Sequence, residues 1–110
     1  MKTGDIITAD IFNMPYFVTH RAIVVNDFNQ IYFYHNTPTK RNKFGGNVIC
    51  ENYADFLNGR KIVKIEATNI TKSDILQSAI ECKNKKFNLL GFNCYDFINY
   101  IKNKKLQNKY

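Results

Sequence analysis

The chain has 110 residues, 45% hydrophobic and 15% aromatic, with a formal net charge of +7. That length suits one domain, residues 1–110, with a core of its own, since disulfide or metal staples are needed mainly below about 40 residues. The composition excludes a disordered chain, and no run approaches the ~18 consecutive apolar residues of a membrane span.

Met1-Lys2-Thr3-Gly4-Asp5 runs directly into a first predicted strand, Ile6-Ile7-Thr8-Ala9. With no apolar leader in this stretch, we expect a cytoplasmic protein whose cysteines, Cys50, Cys82 and Cys94, are reduced thiols. Met14-Pro15 breaks the pattern before a β-hairpin that carries both histidines, His20 and His35. The basic, glycine-containing stretch from Lys40 to Asn47 reads as an exposed loop, and Asn52 to Leu57 as a short helix closed by Asn58-Gly59. Lys61 to Ala67, rich in β-branched residues, is the next predicted strand. Thr71-Lys72-Ser73-Asp74 has the form of a capping box, followed by Ile75, Leu76, Ala79 and Ile80 at helical spacing, so a helix should run to about Lys83. Asn84 to Phe92 reads as a connector, and Asn93 opens a last helix at Cys94. These elements predict an α+β fold, an antiparallel sheet packed against two or three helices.

The hairpin carries the sharpest inference. His20, Ala22 and Val24 share one face of its first strand, and Ile31, Phe33 and His35 one face of its second. A two-residue loop at Asp27-Phe28 would make His20 and His35 direct cross-strand neighbours. A four-residue loop, Asp27 to Gln30, would set His20 opposite Thr37 and still keep both imidazoles on one face.

The last helix supplies a candidate nucleophile. At the first helical position, unpaired backbone N–H groups and the helix dipole stabilise a thiolate on Cys94. Phe97, Ile98 and Ile101 lie on the same helical face, which should turn the sulfur toward the sheet. The same position would equally suit a small hydrophobic core residue. Cys50 and Cys82 lack a helix start and a neighbouring histidine in sequence, and read as surface or packing thiols. Zinc ligation by the histidines and a cysteine is disfavoured because no Cys-x-x-Cys spacing exists, so we expect no metal and no cofactor. The lysines at 83, 85 and 86 and at 102, 104, 105 and 109 read as a solvated surface, without a nucleic-acid recognition signature.

Gly4-Asp5-Ile6-Ile7, His20 with the Ala22-Ile23-Val24-Val25 strand, His35, and the run Phe87-Asn88-Leu89-Leu90-Gly91-Phe92-Asn93-Cys94-Tyr95-Asp96-Phe97 together resemble the lecithin retinol acyltransferase-like family. That family is a permuted branch of the NlpC-type papain-like superfamily. The resemblance spans nearly the whole chain, and its most specific part is the Asn-Cys-x-x-Phe element combined with the order His, His, Cys.

The resemblance implies a permuted papain-like fold, with Cys94 as nucleophile, His20 as general base and His35 as the residue that orients it. The implied chemistry is acyl transfer or hydrolysis through a thioester, on phospholipid acyl esters in this family and on peptide or cell-wall amides in the wider superfamily. The implied partners are a small-molecule or lipid acyl substrate and the surface of an anionic membrane, not nucleic acid. Tyr95-Asp96 replaces the Glu-His common after the family cysteine, and the C-terminal segment is basic where family members carry a hydrophobic anchor. A non-catalytic binding module on the same fold is the contrasting expectation.

Overall fold

Residues 1–10, 19–38, 46–57, 59–83 and 94–107 are described by the computed structural model, with positions 19, 37, 38, 46, 47, 83, 94–96 and 105–107 as backbone only. They form an α+β arrangement with five antiparallel strands in the order β4-β3-β2-β1-β5. The strands are β1 (Ile6–Asp10), β2 (Thr19–Asp27), β3 (Gln30–Pro38), β4 (Gly46–Asn52) and β5 (Ile62–Glu66). The helices are α1 (Tyr53–Leu57), α2 (Lys72–Lys83) and α3 (Cys94–Gln107). Among the described residues no helix is long and apolar enough to cross a membrane.

Strand β2 is central because its sequence is apolar on both faces. Ala22 and Val24 point one way and Ile23 and Val25 the other, and all four are buried. Ile23 and Val25 join Ile6, Val48, Ile75, Ala79, Phe97, Ile98 and Ile101 in one core cluster, which seats α2 and α3 on that face. Ala22 and Val24 join Ile7, Ala9, Phe33 and Phe56 in a second cluster, which seats α1 on the other face. Each fully buried Val, Ile or Phe contributes about 1.5–3 kcal/mol of transfer free energy.

The β2–β3 turn corrects one of the two loop expectations. Phe28 and Asn29 both have positive φ, 52° and 69°, the signature of a tight primed turn whose twist matches the flanking strands. The Asn26 side chain closes it by accepting from the Asn29 backbone N–H at 3.1 Å. The pairs are then Asp27 with Gln30, Asn26 with Ile31 and Val24 with Phe33, so the turn is not at Asp27-Phe28. The described pairs run as far as Ile23 with Tyr34, and because His20 and His35 each lie an even number of residues from the Val24–Phe33 pair, both histidines share one face.

Two further expectations are revised. The predicted loop reaches too far, because Gly46–Asn52 is an edge strand paired with β3 from Tyr32–Asn52 to Pro38–Gly46. The buried stripe of α2 is Ile75, Ala79 and Cys82, with Ile80 59% exposed, because the helix meets the sheet one position round from the expected face. Elsewhere the local signals hold. Asn52 caps α1 by accepting from the Asp55 N–H at 2.8 Å, and Gly59 takes φ +89° after it. Thr71 and Asp74 bond reciprocally to each other's backbone N–H at 3.2 and 3.0 Å, completing the capping box that starts α2. Met14-Pro15 and the Asn84 to Phe92 connector, including Asn93 beyond it, lie outside the described residues.

Candidate active site

The two histidines are delivered by strands and meet below the surface. His20 is the second residue of β2 and His35 the sixth of β3, and they are 7% and 1% exposed. Nε2 of His20 lies 2.5 Å from Nδ1 of His35, with the rings edge to face at a centroid distance of 4.7 Å. The other nitrogen of His35, Nε2, lies 2.5 Å from Oε1 of Glu51 on β4. Glu51 pairs in register with Phe33, and Ile49 pairs with His35, so carboxylate and imidazole share a face one diagonal step apart. Glu51, His35 and His20 thus form a continuous chain of polar groups across three adjacent strands.

Aromatic packing holds this chain in place. Phe56, the one buried residue of α1, stacks on Phe33 at 4.4 Å and presents its ring to His35 at 5.1 Å and to His20 at 6.1 Å. The Arg60 guanidinium covers the Phe56 ring at 5.4 Å and donates to the Phe56 carbonyl at 3.4 Å. Burial is the main cause that lowers His20 to about 3, and charge on His35 and on Arg60 adds to it. His35 is lowered to about 4, by burial first and by Arg60 second. Both imidazoles are therefore neutral at pH 7, when each has one N–H donor and one lone pair.

Of the three residues singled out from sequence, the structure brings His20 and His35 together and puts Cys94 at the first position of α3, with its side chain outside the described set. The buried stripe of α3, Phe97, Ile98 and Ile101, packs on the face of the sheet with Ile23 and Val25. The imidazoles lie on the other face, with Ala22 and Phe56. Cys50 is exposed and Cys82 buried among the packing residues of α2, as their sequence positions imply. No group of three or more metal-ligating side chains occurs among the described residues.

Glu51 and Phe56 went unrecognised in the sequence. The signal for Glu51 was an alternation in which Val48 and Cys50 take one face and Ile49 and Glu51 the other, visible only if Gly46 to Asn52 is read as a strand. Comparison with protein-family models, with curated proteins and with solved structures finds no match.

Proposed function

We propose that this protein is a cysteine-nucleophile acyltransferase or hydrolase with a permuted papain-like fold, in which Cys94 is the nucleophile, His20 the base and His35 the orienting residue. The observation that carries the reading is the 2.5 Å contact between His20 Nε2 and His35 Nδ1. It occupies one nitrogen of His20 and leaves Nδ1 to take a proton from another group. A base held by a third polar residue is what a triad requires.

In this reading the Cys94 thiol gives its proton to His20 Nδ1, and the thiolate attacks the acyl carbonyl. The tetrahedral intermediate collapses, the departing alcohol or amine takes the proton back from His20, and a thioester remains on Cys94. Water or an acceptor alcohol or amine then attacks the thioester with His20 again as base, and the thiol is restored. The N–H of Cys94 at the start of α3 would donate to the oxyanion. The reading requires the start of α3 to bring the sulfur past the end of β2, where His20 sits, to the imidazole side of the sheet. Phospholipid acyl esters are the substrate that the family resemblance favours, met at an anionic membrane surface by basic side chains, and peptide amides are the alternative.

A specific observation favours a second reading, a non-catalytic module in which the histidine pair is a satisfied core network. It is the packing of α3 on the opposite face of the sheet from the imidazoles. Intact-mass measurement separates the two. After incubation with phospholipid vesicles or, separately, with muropeptides, the enzyme gains one acyl mass on Cys94, and Cys94→Ala gains none. No adduct from either substrate would leave the module.

A further inference from the structure

We propose that Glu51 is a positioning residue that fixes the tautomers of both buried histidines and so holds the lone pair of His20 on Nδ1. An ionised carboxylate can only accept hydrogen bonds. With Glu51 Oε1 2.5 Å from His35 Nε2, that nitrogen carries the proton. A neutral His35 then has its lone pair on Nδ1, which accepts from His20 Nε2–H across the second 2.5 Å contact. His20, neutral in turn, has its lone pair on Nδ1. Running the chain in the other direction would require a proton on the Glu51 carboxyl, so one acidic residue on an edge strand sets the polarity of two imidazoles and determines which nitrogen can act as a base.

The sheet is built to hold this arrangement. His35 is 1% exposed, with Phe56 across its ring, so no water competes for Nε2 from that side. Glu51 retains partial solvent contact at 28% exposure, which keeps the carboxylate charge hydrated while its Oε1 is committed to His35. The consequence for catalysis rests on the Cys94 reading, whereas the tautomers do not.

Nitrogen-15 NMR of the imidazoles in the full chain at pH 7 tests the proposal without reference to activity. In the wild type both histidines should show protonated Nε2 and unprotonated Nδ1. In Glu51→Ala a second form should appear in which His35 is protonated on Nδ1 and His20 Nδ1 carries hydrogen. A wild-type spectrum with Nδ1–H on either histidine overturns the proposal, as does a Glu51→Ala spectrum with unchanged tautomers. Should Glu51→Ala fail to fold, the wild-type spectrum alone decides. The expected tautomers combined with a Cys94 that forms no acyl adduct would uphold the role of Glu51 and remove the enzyme reading.

Discussion

His20 Nε2 and His35 Nδ1 lie 2.5 Å apart and nearly shut off from solvent, and among the described residues the one carboxylate that meets either ring is Glu51, through His35 Nε2. A pair so placed is neutral when folded and must take up protons when exposed. The unfolded state therefore binds more protons than the folded state between the ordinary histidine value of 6.5 and the folded values of about 3 and about 4.

It follows that stability is full above pH 6.5 and is lost as pH falls below it. One lowered histidine withdraws at most about 1.4 kcal/mol per pH unit, or about 2 kcal/mol between pH 6.5 and 5. Urea denaturation at pH 7 and pH 5 measures this. The difference should shrink in His20→Gln/His35→Gln, while stability that holds or rises on acidification of the wild type contradicts a neutral buried pair.

Phe56 is the second support of the site. It is fully buried, stacked on Phe33 and set against both imidazoles. Phe56→Ala should cost about 3–5 kcal/mol by cavity formation. Phe56→Leu, which keeps much of the volume, should cost clearly less. Denaturation midpoints at pH 7 give both figures, and equal losses would mean that packing at this ring is not what holds α1 to the sheet.

The hairpin face, the capping box at Thr71 and Asp74 and the stripe Phe97, Ile98 and Ile101 were legible in the sequence, because each rests on local spacing alone. Strand β4 was not. Asn47, Asn52 and Glu51 give Gly46 to Asn52 weak strand character, and pairing with β3 overrides that propensity. Glu51 was lost with it. Of the two loops the sequence allows, the longer has the observed register and the one at Asp27-Phe28 is off by one residue, because Phe28 in the left-handed region is uncommon and the usual Asn-Gly signal is missing. Nor could the sequence assign α3 to one face of the sheet. Ala22 and Val24 on one face of β2 and Ile23 and Val25 on the other are equally apolar, so either face could have received the helix.

Gly4 offers a test at the start of β1, away from the histidines. Its φ is +95°, and a Cβ there would lie 2.6 Å from the Ile70 carbonyl oxygen. The Gly4 N–H donates to the Val24 carbonyl at 2.9 Å, and Thr68 Oγ1 donates to the Gly4 carbonyl at 2.6 Å. Gly4→Ala should cost about 1–3 kcal/mol, from backbone strain and the displaced Ile70 segment. A thermal midpoint equal to the wild type would show that this turn accommodates a side chain.

The coupling of Cys94 to His20 is the central claim, and the pH dependence of Cys94 alkylation, followed by peptide mass in the wild type and in His20→Ala, tests it most directly. The helix start, together with transfer of the thiol proton to His20 as the proposed mechanism requires, predicts that wild-type Cys94 reacts as a thiolate below the ~8.5 of a free cysteine, with a profile that moves toward that value in His20→Ala. Profiles that coincide in the two proteins would contradict the claim and leave Cys94 with the role of a packing cysteine.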